Sequence, residues 1–228
     1  MSNKLAVITG GNRGIGREAA KQLSEKGFNV IVTSRSISQA RSAAKEIGEN
    51  VKGLELNLND RNSISNFSQR LKDNYETIDV LINNAGMMGK DHAVSFNIDE
   101  IRSVLDSNFI GAVELTGQLF PLLKRAKEGR IINVSSGMGT LESLKEGSYA
   151  AYRLSKWALN GFTILLSSEI TNSNVKVNSI CPGWVKTDMG GENAPRELSQ
   201  GADSITWLAT IEKSPNGKFF RDREEINW

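Results

Sequence analysis

A chain of 228 residues with a formal net charge of +2 is long enough to bury one full α/β core, and it lacks the basic field that would hold a nucleic-acid backbone. Cys181 is the one cysteine, so no internal disulfide forms, and no apolar run approaches the roughly 20 residues that span a bilayer. The chain enters a strand pattern at once, without a charged leader and cleavable apolar segment, which predicts a single cytoplasmic domain over residues 1–228 with no nucleic-acid or membrane partner.

Short runs rich in Val, Ile and Leu alternate with stretches of helical period, the pattern of repeated βαβ units. Strands are expected at 5–9, 28–34, 51–56, 80–83, 130–135, 175–180 and 218–220. Between the first two, Ala19, Ala20 and Leu23 make an apolar stripe and Gly27 stands where a helix C-cap glycine belongs. Ile37, Ala40, Ala44 and Ile47 form the next stripe, closed by Gly48, and Ile64, Phe67, Leu71 and Tyr75 the third, after Asp60 as N-cap. Right-handed crossovers then predict a single-domain α/β fold: a doubly wound, Rossmann-type parallel sheet of about seven strands with helices on both faces.

Thr9, Gly10, Gly11, Asn12, Arg13, Gly14, Ile15 and Gly16 join the first strand to the first helix. Glycines there can take positive φ and let the backbone approach a pyrophosphate, while the helix N-terminus offers unpaired N–H groups to phosphates. Further along stand Asn83-Asn84-Ala85-Gly86 at the end of the fourth strand, Asn108 in the helix after it, and Ser136 at the end of the fifth strand. Tyr152-Arg153-Leu154-Ser155-Lys156 opens the next helix, and Cys181-Pro182-Gly183-Trp184-Val185 with Thr187 closes the sixth strand.

These ordered motifs resemble those of the classical short-chain dehydrogenase/reductase family over essentially the whole chain. The run 181–188 and the closing 217–228 look most like its carbonyl reductase branch. The resemblance implies cofactor contacts from Thr9, Gly10, Asn12, Arg13, Gly14, Ile15, Gly16, Arg35, Asn57, Leu58, Asn84, Ala85, Gly86, Tyr152, Lys156, Pro182, Gly183, Val185 and Thr187. Where the family commonly has an Asp that accepts from the adenine amino group, this chain has Asn57, whose amide oxygen can still accept.

An NAD-selective site usually ends its second strand in Asp or Glu, which grips the ribose hydroxyls and repels a 2′-phosphate. Here the segment reads Val32-Thr33-Ser34-Arg35-Ser36, and Arg35 with Arg13 resembles the basic residues of NADP-dependent members. NADP (NADPH) is the expected cofactor.

Tyr152 and Lys156 are four apart, so they share one helix face. A phenol has a pKa of about 10, and a cation ~4 Å away at an effective dielectric near 20 is worth about 4 kcal/mol, which would bring the phenol down by roughly three pH units before desolvation takes some back. Tyr152 is therefore the expected proton donor to a carbonyl, Ser136 the hydrogen-bond donor to its oxygen, and Lys156 the holder of the nicotinamide ribose, as the family implies. Asn108 would hold a relay water. Tyr149 is discounted as a rival because its i+4 partner is Arg153, and Ser135 because strand neighbours face opposite ways.

Met88, Met138, Tyr149, Trp184 and Met189, with Met87 and Leu141, make a soft apolar set for a bulky ketone, aldehyde or quinone. The segment 188–198 is short for a lid. Cys181 reads as a small buried hydrophobe and His92, the sole histidine, as surface or loop packing; no metal site is expected.

The expected function is NADPH-dependent reduction of a small-molecule ketone or aldehyde. The alternatives are a dehydrogenase working on alcohols in the oxidative direction, or a non-catalytic NADP-sensing protein, which would typically lose the tyrosine or lysine kept here. Apolar residues on more than one side of 152–170 (Leu154, Ala158, Phe162 and Leu165 on one, Trp157, Ile164 and Leu166 beyond it) predict a homo-oligomer, a dimer or tetramer, because only fifteen residues separate Ser136 from Tyr152 and no long insertion covers the helix.

Overall fold

Strands that are apolar on both faces have to be covered twice. The computed structural model, which describes residues 4–89, 92–94 and 97–228, meets that demand with helices on both sides of one sheet. Residues 1–3, where the leaderless opening was read, lie outside the described residues. The elements are β1 (Leu5–Ile8), α1 (Gly14–Glu25), β2 (Asn29–Ser34), α2 (Ile37–Ile47), β3 (Val51–Glu55), α3 (Arg61–Asn74), β4 (Val80–Asn83), α4 (Ile98–Leu105), α5 (Gly111–Arg125), β5 (Gly129–Val134), α6 (Ala150–Glu169), β6 (Val175–Ile180), α7 (Leu198–Thr210), β7 (Phe219–Arg221) and β8 (Glu224–Glu225).

The strand order is β3-β2-β1-β4-β5-β6-β7-β8, reversing direction beside β1 as a doubly wound sheet does, and β1 to β7 are parallel. The sheet has eight strands where about seven were expected: β8 returns antiparallel on β7 through a turn with Asp222 and Arg223 at φ +52° and +67°. A two-residue strand after a turn without glycine carries no periodic signal.

Alternation along the strands sorts the core. Ala6, Ile8, Val30, Val32 and Ile82 face Ala19, Ala20 and Leu23 of α1 and Ile205 and Leu208 of α7. Leu5, Val7, Ile31 and Leu81 face Ile64, Phe67 and Leu71 of α3 and Leu115, Leu119 and Leu122 of α5. The expected caps are present: Asp60 accepts from the Asn62 N–H, and Gly27 ends α1 at φ +84°. Among the described residues no helix is long and apolar enough to cross a membrane.

Candidate active site

The glycine turn is built by close approach. Gly10 has φ +64°, and a Cβ there would lie 3.0 Å from the Ala85 backbone; one on Gly16 would lie 2.3 Å from Asn84 Nδ2. The Asn84 side chain donates to the Thr9 and Gly10 carbonyls at 2.8 and 3.2 Å, and the Thr9 hydroxyl accepts from the Asn84 and Ala85 N–H groups at 3.0 and 2.9 Å. Thr9 is fully buried, so the structure puts it beneath the turn, shaping it, rather than on its surface.

Among the side chains expected around the turn, Arg35 is exposed just past β2, and no acid stands between it and Glu46. Asn12 reaches Gln39, which also meets Ser34. Arg13 is paired with Asp188, so a phosphate would have to draw it from that carboxylate. Asn57 Oδ1 accepts from the Asn59 N–H at 3.1 Å, which leaves one lone pair for a further donor. Thr187 crosses from the other wall of the cleft: its Cγ2 is 3.6 Å from where a Gly14 Cβ would be. A cradle that admits no Cβ at a helix N-terminus, with an unopposed arginine at its rim, fits a phosphorylated dinucleotide.

Beyond the turn, the structure brings Ser136, Tyr152, Lys156 and Asn108 together. Tyr152 and Lys156 are 7% and 4% exposed, one turn apart on α6. The Tyr152 phenol is in hydrogen-bond contact with Ser136, and the Ser136 oxygen also accepts from the Met138 N–H at 3.1 Å. Lys156 Nζ donates to the Val134 carbonyl at 2.8 Å. Ser135 instead meets the Lys156 carbonyl, buried, as strand alternation requires.

The electrostatics correct the sequence reading. A phenol brought down by its lysine was expected, yet burial pushes Tyr152 up to about 12, offset only in part by the Ser136 hydrogen bond. Burial likewise pushes Lys156 down to about 8. Desolvation penalises the charged form of both groups and is the largest cause of each shift.

Asn108 lies in a π turn, Asp106–Ile110, between α4 and α5, where an ordinary helix was expected. Its Oδ1 accepts from the Met87 N–H at 2.8 Å, and its Nδ2 donates to the Met87 carbonyl at 2.8 Å and to Ser155 Oγ at 3.0 Å. Both side-chain donors thus clamp the turn after β4 to α6. A relay water would have to be held by the second Oδ1 lone pair or by a main-chain carbonyl.

A cavity of about 550 Å3 adjoins this centre, lined by Arg13, Gly86, Met87, Met88, Gly89, His92, Ser148, Tyr149, Asp188 and Met189. Gly86 links the two: a Cβ on it would stand 3.4 Å from both Asn108 Oδ1 and Lys156 Nζ. Met88, Tyr149 and Met189 line it. Met138 and Trp184 do not: Met138 belongs to a short 3-10 turn after Ser136, and Trp184 is turned outward, its indole N–H donating to the Gly190 carbonyl at 2.7 Å. His92, read as surface or loop packing, is an exposed loop residue at the cavity wall. A larger open groove of about 1050 Å3 beside α1 and α7 contains none of the candidate residues.

Sequence reasoning missed the supports. The buried Arg153 guanidinium donates to the Ser148 and Ser143 carbonyls at 2.9 and 2.6 Å and pairs with Glu146 at 3.1 Å, fixing the segment that leads into α6. Asn160 donates to the Gly139 carbonyl at 3.1 Å and so holds the Ser136 loop to the same helix. Ser148 and Tyr149, immediately before α6, are both left-handed at φ +56° and +52°. Such contacts link segments without any pattern in the sequence. Cys181 is buried and its Sγ accepts from the Gly137 N–H at 3.1 Å.

The short chain dehydrogenase family model matches residues 4–198, and the chain belongs to that family. It is 34% identical over 224 residues to the 3-oxoacyl-[acyl-carrier-protein] reductase FabG of Vibrio harveyi, covering 98% of this chain and 87% of that protein. Among solved structures it is similar to the carbonyl reductase Sniffer of D. melanogaster, with 27% identity, a TM-score of 0.90 and all of both chains covered. The NADPH-bound carbonyl reductase from chicken fatty liver is similar too, at 25% identity, a TM-score of 0.88 and full coverage of both chains. The chain is accordingly an oxidoreductase of the carbonyl reductase-like branch.

Proposed function

We propose that this chain reduces ketones or aldehydes with NADPH. The observation that carries the reading is the convergence of the Tyr152 phenol, the Ser136 hydroxyl and the Lys156 ammonium beside a glycine cradle whose rim bears Arg35 and no acid. A bound nicotinamide supplies the hydride. Tyr152, protonated at neutral pH because burial holds its pKa near 12, gives its proton to the substrate oxygen. Ser136 donates a hydrogen bond to that oxygen as negative charge develops there. Lys156 supplies the cation that stabilises the phenolate left behind, and Asn108 holds the turn after β4 in register with α6. The methionines and Tyr149 wall the substrate side. Initial rates with NADPH and NADH across a panel of carbonyls test the reading: turnover with NADPH favoured supports it, and specificity constants favouring NADH, or no carbonyl turnover, overturn it.

We further propose that two copies associate through α6. Leu154, Trp157, Ile164 and Leu165 are 44%, 48%, 42% and 63% exposed. Trp228 stacks on Phe219 with ring centres 5.5 Å apart, and these four side chains stay exposed with the C-terminus in place. A stripe of this kind on a 20-residue helix suits a two-fold pairing with its copy. Light scattering at micromolar concentration is expected to give a multiple of 25.0 kDa that Trp157→Glu with Leu165→Glu reduces to the monomer; a 25.0 kDa species unchanged on concentration rules the pairing out.

A further inference from the structure

Gly137 follows Ser136 directly, and the space a side chain would take there is used by another residue. A Cβ on Gly137 would lie 2.4 Å from Arg221 Nη2 and 3.9 Å from Cys181 Sγ. Arg221 is the last residue of β7, at the carboxyl ends of the parallel strands, where open α/β sheets bind their ligands. The bare position after Ser136 and the long cation from β7 are thus one steric unit.

Neighbouring arginines have their carboxylates. Arg196 pairs with Asp222 through two bonds of 2.5 and 2.6 Å, which, with a smaller contribution from the nearby Arg221 charge, hold the Asp222 carboxyl below its usual range, and Arg223 pairs with Asp203 at 2.8 Å. Arg221 makes no salt bridge among the described residues, and its Nε is buried without a hydrogen-bond partner. A desolvated donor left unmatched is costly, and because the residue as a whole is only half-buried, the outer edge of the guanidinium is what a carboxylate would meet.

We propose that Arg221, which lies past Gly137 and outside the cavity wall, anchors an anionic group of a substrate that extends beyond Ser136, so that the preferred carbonyl compounds are acids: an apolar body against Met87, Met88 and Met189, a carbonyl at Ser136 and Tyr152, and a carboxylate several bonds away on Arg221. This rests on the carbonyl-reducing reading above and adds a substrate class to it. Arg221 is a specificity-determining residue, with no part in proton transfer.

The test uses matched pairs, 3- and 4-carboxybenzaldehyde against their methyl esters, with the unmodified protein, Arg221→Met and Arg221→Lys. The unmodified protein is expected to favour at least one acid over its ester by about 10-fold or more in kcat/KM, the size of one charge-assisted contact. Arg221→Met should remove that preference by slowing the acid and leave the ester within about twofold, while Arg221→Lys keeps part of it. Equal loss on acid and ester would mean that Arg221 only props the Ser136 loop, and an unmodified protein indifferent to the carboxylate overturns the anchor; in both cases ester reduction leaves the reductase reading standing. Calorimetric titration of the NADP-loaded protein with isophthalate gives a readout independent of turnover: binding abolished in Arg221→Met supports the anchor, and no binding to the unmodified protein counts against it.

Discussion

Lys156 Nζ stands 5.7 Å from the centre of the Tyr152 ring. At neutral pH the lysine is charged and the phenol protonated, because burial places them near 8 and 12. As pH rises through about 8 the lysine loses its charge and the phenol loses the cation that eases its ionisation. Carbonyl reduction should therefore fall above about pH 8, and a profile of kcat/KM against pH checks this. Lys156→Arg should carry the descending limb to higher pH, whereas a profile flat to pH 10 would contradict the assignment.

Tyr152→Phe removes one hydroxyl and preserves the ring's packing. Turnover should drop by roughly 10²–10⁴, the range for losing a positioned general acid, with NADPH binding within about twofold. Ser136→Ala should cost about 10²–10³ in kcat, as for one oxyanion donor. Single-turnover rates and cofactor titration separate the two quantities. Substantial activity in Tyr152→Phe would mean that the acid lies elsewhere.

Lys156 also bears on stability. Its folded pKa of about 8 lies below its usual 10.5, so between those values the unfolded chain binds more protons and stability rises with pH; below 8 the full penalty applies. That penalty is on the order of 3 kcal/mol at neutral pH. Lys156→Met should consequently be inactive yet more stable than the unmodified protein at pH 7, with the gap closing toward pH 10. Urea unfolding at both pH values measures it, and a variant less stable at pH 7 would show that the Val134 hydrogen bond outweighs the buried charge.

Cofactor choice should follow Arg35 more than Arg13. Arg35 is exposed and free of any carboxylate partner among the described residues, whereas Arg13 must first leave Asp188, an exposed ion pair worth about 1 kcal/mol or less. Arg35→Asp should lower kcat/KM with NADPH by about 10–100-fold and raise the relative use of NADH, since the new acid repels the 2′-phosphate. Arg13→Ala alone should do less, and the double variant most. Specificity constants for both nucleotides decide it; an unchanged ratio in Arg35→Asp would place the phosphate elsewhere.

What the sequence determined by itself was whatever is local or periodic. Alternating apolar runs placed the parallel strands and both helical layers, and the i, i+4 spacing put Tyr152 and Lys156 on one face of α6. The glycine turn was legible because a strand, a bare backbone and a helix N-terminus follow one another along the chain. Tertiary structure decided what depends on distant segments meeting. Burial set the protonation of Tyr152 and Lys156 against the simple Coulomb estimate, because the cost of desolvating a charge depends on everything packed around it. Arg153, Asn160 and Asn108 became clamps only once their partner carbonyls folded against them. Trp184 turned to the Gly190 carbonyl and away from the cavity, while His92 entered its wall. Arg221 and Gly137, 84 positions apart, share one space for the same reason: β7 pairs beside β6, and the tip of the side chain at its end lies where a side chain on the residue after Ser136 would stand.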